Sequence, residues 1–433
     1  MDHLSAWRQS TTTKAAATTP STLVMCSTNA TESSTSSGAE GMPTSGSARI
    51  PLRRLLLSSL LRKSSRPKVP PTTVRNCASP SLAASAELFC LPLDRFDIEG
   101  PNGIHLVFVY PVLGPRVSRL LHLVNDSGDP SGSLRTFCRQ TTQAMAVLHS
   151  LGICHGDFRP ANILARISGL DGMSEDEVME ILRKPRTSEV VTVSGDAHHL
   201  DTAPKYVVYP INWDEVISNP KGASLVDELT CVIDFGESFE VSAPTPDLGI
   251  PQVYCSPEYT LEGTVGIGCD IWALGCTLFE IRTGRKLFDT FDDDKDEYLC
   301  KVAMVLGKLP EPWWSETWEA RRQYLQDETD VGGRVLEVSR DDSAMAVNQA
   351  EGERHVAVYE RPEPRSVGEA LRDGLYYENW DRPGGIERDI SEKEIGLFAD
   401  LLEKLLRYSP GDRLSAAEAL EHDWFRHGGF GDD

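Results

Sequence analysis

The 433-residue sequence predicts an α+β chain whose weight lies in a helical C-terminal part. Three observations predict it. Two strand-like apolar runs stand early in the ordered sequence, three amphipathic or wholly apolar helical patterns follow, and the first 86 residues carry no sustained period. Hydrophobic residues make up 40% and charged residues 25%, enough to close a large core. No apolar run approaches the roughly 18–20 residues that cross a bilayer. The net charge of −22 argues against a nucleic-acid binder, whose footprint is basic.

The charge is uneven. Residues 1–86 hold ten basic and three acidic side chains in a Ser/Thr/Ala/Pro-rich sequence, and read as a low-complexity, disordered tail. Within it, IPLRRLLLSSLLRK at 50–63 has the pattern of a short basic amphipathic helix. Strands are expected at 88–98 and 104–113, joined by the Gly-Pro-Asn-Gly turn at 100–103. From Ser133 to Leu151 apolar side chains recur at helical spacing, and Gly152 stops the run. Asp270 to Thr283 is apolar almost all round, the mark of a buried helix, and Gly284 ends it. A third helix is expected over 391–410, with Leu397, Leu401, Leu402, Leu405 and Leu406 on one face and Pro410 ending it. Two polar stretches, about 166–228 and 326–390, read as insertions or long loops, the first with an extra helix in SEDEVMEILRKP.

The ten cysteines contain no C-x-x-C pair, and several sit in apolar runs, as Cys231 and Cys276 do. They read as reduced, buried thiols of an intracellular protein, with neither a disulfide framework nor zinc-ligand spacing. Trp313, Trp314 and Trp318 read as packing aromatics and His198-His199 as a solvated loop pair.

The residues that carry chemistry begin at His155-Gly156-Asp157-Phe158-Arg159-Pro160-Ala161-Asn162, a polar loop between a helix and an apolar strand. An Asp with an Asn five positions on lets a carboxylate face an attacking hydroxyl while the amide turns to a metal ion. A basic residue two after the Asp reaches a transferring phosphate. Downstream, LTCVIDFGES carries Asp234-Phe235-Gly236 at the end of a buried strand, where a carboxylate can chelate magnesium on ATP phosphates. Tyr254-Cys255-Ser256-Pro257-Glu258, Asp270-Ile271-Trp272-Ala273-Leu274-Gly275 and Arg413 follow in that order.

These five segments resemble the H-R-D-x-x-x-x-N, D-F-G, A-P-E and D-x-W-x-x-G signatures and the late Arg of the protein kinases, over about residues 88–433. The resemblance implies a protein-kinase-like fold: an N-lobe and hinge remnant of two strands at 87–114 and a mainly helical C-lobe at 115–428. It implies an ATP- and magnesium-dependent transfer of phosphate to Ser or Thr of protein substrates. Asp157 and Arg159 would be catalytic, with Asn162 and Asp234 as magnesium and nucleotide ligands. His155, Phe235, Gly236, Glu258, Asp270 and Arg413 would be structural, Glu258 pairing with Arg413 and Asp270 holding the loop backbone. DRFDIEGPNGIHLVFVYPVLG, the long first insertion and PKYVVYP at 204–210 resemble more narrowly the SR-protein-kinase-like branch, especially its fungal members. That branch implies basic, Arg/Ser-rich substrates, which the acidic run 289–294 could dock. It also implies a location in cytoplasm or nucleus.

The departures are specific. Gly156 stands where the family has Arg, so assembly of the site should not depend on an activation-loop phosphate. Arg159 replaces a Lys, and Ser256 replaces an Ala. No Gly-rich phosphate loop, strand Lys or partner Glu is recognised before residue 88, so most of an N-terminal lobe is expected to be missing. The alternative reading is a catalytically impaired or truncated kinase acting as a protein-binding module. A small-molecule phosphotransferase also uses H-G-D, but S-P-E, D-I-W-A-L-G and Arg413 argue against it.

Overall fold

A computed structural model describes residues 22–26, 86–100, 103–120, 130–197, 203–244, 247–290, 293–331, 333–338, 365–377, 386–388 and 390–426. In chain order the elements used below are strands β1 (Thr22–Cys26), β2 (Asp94–Gly100) and β3 (Gly103–Pro111), helix α1 (Pro130–Ser150), strand β4 (Ile163–Ile167), helix α2 (Glu175–Leu182) and strand β5 (Val226–Val232). Helices α3 (Ile267–Thr283), α4 (Lys295–Leu306) and α5 (Glu392–Leu405) follow. The chain divides into two compact units, residues 1–116 with 163–233, and residues 117–162 with 234–433.

In the first unit β2 and β3 form an antiparallel hairpin, with Phe96 opposite Val107 and Gly100 opposite Gly103. β1 adds to the free edge of β3. TLVMC is a β-prone run inside the stretch read as a tail without order, too short to register as a sustained period. The basic amphipathic segment 50–63 and His198-His199 lie outside the described residues. β4 pairs antiparallel with β5, and Phe89 makes a parallel bridge to Val232 on the other edge of β5. Gly114 donates to Ala165 and Ala165 to Pro115, each at 2.8 Å.

These bonds draw the strand pair flanking the first insertion into the unit of the early hairpin, across the continuous C-lobe expected from 115. The insertion is no loose loop. Leu170, Val178, Leu182, Val216 and Leu225 bury a small core of their own. α2 enters it through a capping box in which Ser174 and Glu177 satisfy each other's backbone N–H.

The second unit is built around α3. It runs apolar on every side, and Ile271, Trp272, Ala273, Leu274, Leu278, Phe279 and Ile281 are all buried. α1 and α5 pack on it. Each large apolar side chain so enclosed contributes about 1.5–3 kcal/mol. Gly275 permits the approach of α5, since a β-carbon there would stand 2.8 Å from Leu406 Cδ2.

α5 stops at Leu405 rather than running to 410. Pro410 instead opens a separate 3₁₀ turn, Pro410–Asp412, where it needs no amide hydrogen. In the stretch 326–390, Leu325–Thr329 pairs with Val335–Glu337, and Val367–Arg372 is helical. Trp313, Trp314 and Trp318 are buried. Asp294 of the acidic run caps α4 by accepting from Glu297 N–H at 2.7 Å, while Asp289 and Asp293 are exposed. Among the described residues no helix is long and apolar enough to cross a membrane.

Candidate active site

Asp157, Arg159, Asn162 and Asp234 all fall in the second unit. The loop that carries the first three leaves a two-residue strand, Ile153–Cys154, paired with Phe239–Glu240. It is braced by Asp270 in the first turn of α3. One carboxylate oxygen accepts from His155 N–H at 2.7 Å and the other from Gly156 N–H at 3.1 Å, with His149 Nε2 also 3.1 Å from the first. Burial pushes the Asp270 carboxyl up. The hydrogen bond and charge of His149, with the charge and N–H of His155, outweigh that and hold it below the ordinary carboxylate range. His149, Cys154 and Asp270 lie close enough to suggest a metal cluster. The Asp270 oxygens already serve the loop, so the group reads as a brace.

Gly156 has φ +79°, and a β-carbon there would lie 2.4 Å from the Glu237 carbonyl oxygen. The obstacle is backbone, which no rotamer change relieves. The Arg of the family pattern is therefore sterically excluded here, and the loop instead lies directly against the segment after Asp234-Phe235-Gly236. Gly156→Ala should destabilise the chain by about 1–2 kcal/mol from the left-handed backbone alone, and further by overpacking of about 1–3 kcal/mol. A urea-unfolding midpoint equal to wild type would contradict this.

Asp157 is 5% exposed and Asn162 4%. Asp157 Oδ1 accepts from Arg159 Nε at 2.8 Å, and Oδ2 accepts from Asn162 Nδ2 at 2.8 Å. The same Nδ2 reaches the Asp157 backbone carbonyl at 2.8 Å. The five-residue spacing works because Pro160–Asn162 closes a 3₁₀ turn, with Asn162 N–H donating to Arg159 O at 2.9 Å. Asn162 thus directs its amide nitrogen at Asp157 and keeps its amide oxygen for another partner. Arg159 spends Nε on Asp157, and its side chain is 30% exposed.

His155 is fully buried. Its ring meets Phe158 edge-on at 5.4 Å and Phe235 at 5.2 Å, and its Nδ1 accepts from Asp157 N–H at 3.3 Å. Ser238 Oγ donates to the His155 carbonyl at 2.9 Å. Phe235 and Ser238 therefore tie the Asp234 turn to the loop of Asp157. Asp234 itself adopts the left-handed conformation, φ 60° and ψ 67°, with an exposed side chain. A non-glycine residue so placed is uncommon and is held by its surroundings. Gly236 follows, where a β-carbon would lie 3.3 Å from Asp234 Oδ1. The Asn162 amide oxygen and the Asp234 carboxylate are hard oxygen donors of the kind magnesium takes.

Glu258 and Arg413 form a bidentate buried pair, at 2.6 and 2.7 Å. The guanidinium also serves the carbonyls of Arg407, Gly268 and Tyr408, and lies 5.1 Å from the Trp272 ring centroid. A second buried pair escapes sequence reasoning. Arg282 on α3 meets Glu394 on α5 through two bonds of 2.8 Å, with Trp424 Nε1 on the same carboxylate at 3.3 Å. The available signal is an Arg near the end of a mainly apolar, buried helix, which demands an acidic partner.

Residues 225–425 match the family model described as protein kinase domain. Serine/threonine-protein kinase AFC3 of Arabidopsis thaliana is 26% identical over 322 residues, covering 74% of this chain and 64% of that protein. Dual specificity protein kinase lkh1 of Schizosaccharomyces pombe is 22% identical over 338 residues, 78% of this chain and 38% of its own length. Human dual specificity protein kinase CLK2 is 25% identical over 336 residues, 77% of this chain and 50% of its own. The chain thus spans less than two thirds of the length of each of these relatives. The fold is protein-kinase-like. The narrower resemblance to fungal SR-protein kinases draws no support from these relatives, whose names are of the AFC and CLK type.

Proposed function

We propose that this chain is an ATP- and magnesium-dependent protein kinase that transfers phosphate to Ser or Thr side chains. The observation that carries the reading is the locked constellation of Asp157, Arg159 and Asn162 on a loop whose backbone is anchored to Asp270. A buried carboxylate with both oxygens fixed by donors is pre-oriented, and such orientation is most of what a phosphoryl-transfer site must supply.

In this reading the substrate hydroxyl approaches Asp157, which orients it and accepts its proton. The hydroxyl oxygen forms a bond to the γ-phosphorus while the bond from that phosphorus to the ADP oxygen breaks, and ADP leaves with the electron pair. Arg159, through its remaining N–H groups, meets the charge on the transferring phosphoryl oxygens. Asn162 and Asp234 would hold magnesium, which neutralises phosphate charge when bound. Glu258 with Arg413, and Asp270 with the loop N–H groups, keep the parts in register.

Basic, Arg/Ser-rich substrates are the class favoured by charge. Beyond residue 86 the sequence holds 62 acidic against 33 basic residues, and Asp289 and Asp293 are exposed. Cytoplasm or nucleus is the proposed location. The test is transfer from radiolabelled ATP by the full chain, with magnesium, to paired Ser peptides that differ only in flanking Arg or Glu. Label should enter Ser, with kcat/KM for the Arg peptide higher by roughly tenfold or more, equivalent to about 1.4 kcal/mol. A folded chain that transfers nothing overturns the enzyme reading. Equal use of both peptides overturns the substrate class alone.

A further inference from the structure

A basic run in the first insertion takes no part in the phosphoryl-transfer constellation. It reads Arg183-Lys184-Pro185-Arg186 and leads directly into Thr187, and all five residues are exposed. Beyond residue 86 the chain holds 62 acidic against 33 basic residues, so three cations within four positions stand out from their surroundings. Arg183 is paired with Glu215 at 3.3 Å, and the Arg186 guanidinium lies 5.9 Å from the Tyr209 ring centroid.

The fold sets how the run is displayed. α2 ends at Leu182, and Arg183 adopts φ 67° and ψ 159°, a backbone region that a residue other than glycine holds only when its surroundings impose it. Pro185 disfavours helical backbone at Lys184, so the chain leaves the helix extended. Thr187–Glu189 then pairs antiparallel with Tyr206–Val208, with Thr187 opposite Val208. Among the described residues this sheet has two strands, so Thr187–Glu189 is paired along one edge. Tyr209 N–H donates to Arg186 O at 2.9 Å and continues the pairing back to the basic run. Other hydroxyls beside basic residues are committed elsewhere. Ser366 and Ser415 bond their capping-box glutamates, Glu369 and Glu418, and Thr283 is buried and donates to Phe279 O at 2.8 Å.

We propose, resting on the kinase reading above, that Thr187 is a phosphate-acceptor site modified by a second copy of this chain. Thr187 is an exposed hydroxyl on extended backbone, with Lys184 and Arg186 three and one positions before it. Those cations complement the exposed Asp289 and Asp293 of the copy that acts. The acceptor sits in a paired strand and not on a free end, so it is offered to another molecule. Thr187 Oγ1 forms a bond to the γ-phosphorus of ATP while the bond from that phosphorus to the ADP oxygen breaks. ADP leaves with the electron pair, and the hydroxyl proton passes to the Asp157 carboxylate of the acting copy. The product carries about −1.5 to −2 charge beside Lys184 and Arg186.

The test mixes the active full chain with an affinity-tagged Asp157→Asn chain, ATP and magnesium, then maps phosphate on the separated tagged chain by mass spectrometry. A parallel reaction holds the active chain and an Arg-flanked Ser peptide. Phosphate is expected on Thr187 of the tagged chain. Reversing the run with Lys184→Glu and Arg186→Glu in that chain should slow the labelling by about tenfold or more. Thr187→Ala in the active chain should leave transfer to the peptide unchanged. Peptide that is labelled while Thr187 stays unmodified overturns the acceptor site and leaves the kinase reading standing. Phosphate that goes instead to Ser64 or Ser65, which stand between Arg62, Lys63 and Arg66 in the sequence, does the same. An unchanged rate in the charge-reversed chain overturns the basic run as the feature recognised. Failure to label either peptide or tagged chain overturns the kinase reading, and the acceptor site with it. If the Asp157→Asn chain does not fold, the active chain alone decides: its Thr187 labelling per chain should rise in proportion to chain concentration, and a rate independent of concentration overturns transfer between copies.

Discussion

Asp157→Asn should lower the rate of phosphate transfer by about 10²–10⁴-fold, the range for loss of a positioned general base. The substitution keeps the volume of the side chain and removes the charge and the proton-accepting capacity. It also breaks the symmetry of the site. Asp157 accepts from Arg159 Nε and from Asn162 Nδ2, one on each oxygen. An amide offers one oxygen and one NH₂, so one of these donors must then face another donor. The loss should fall on kcat, with the KM for peptide near its wild-type value, because the interaction matters most as the proton moves. The fold should survive, since His155 and Gly156 N–H remain held by Asp270. Steady-state kinetics with a Ser peptide, alongside far-UV circular dichroism, decide it. A fall of less than tenfold in a folded variant would remove Asp157 from the chemistry.

The arrangement of the candidate site was readable in sequence to the extent that it is local. Asp157, Arg159 and Asn162 stand within six consecutive positions, and one 3₁₀ turn is enough to bring them together. Asp270 and Arg413 were legible by a different route, through their resemblance to a known pattern, and the structure shows what each holds. Gly156 was read as the loss of a phosphate receptor. Its φ of +79° and the 2.4 Å approach to Glu237 O add a steric cause that depends on a segment 81 positions away.

Helix interiors followed from their periods, yet ends did not. α1 begins at Pro130, ahead of the first apolar residue of the pattern, and α5 ends before the Pro that was expected to stop it. What sequence could not show is long-range pairing. Nothing local in Leu88-Phe89-Cys90 announces a parallel bridge to Val232, or in Arg282 a partner at Glu394, 112 positions on.

Arg413→Ala should cost about 3–5 kcal/mol, the range for breaking a buried ion pair. Glu258 would remain 2% exposed with no cation, and three carbonyls, of Arg407, Gly268 and Tyr408, would lose their donor. The guanidinium also gives up its place near Trp272. For a unit of this size the loss corresponds to a fall in Tm on the order of 10 °C. Glu258→Met should be costly for the mirrored reason, since Arg413 would keep its carbonyls but carry an unbalanced charge.

The informative variant is the double one, Glu258→Met with Arg413→Met. Desolvation of two charges is avoided, so it should lose less than the sum of the two single changes. It should not regain wild-type stability, because the three carbonyls still lack a donor. Thermal and urea unfolding followed by Trp fluorescence measure all three variants on one scale. If Arg413→Ala melts within about a degree of wild type, the pair is not the brace that holds Pro257 and the start of α3 to the C-terminal turn. If the double variant loses as much as both single changes together, the two side chains act independently, and the bidentate geometry carries no coupling energy.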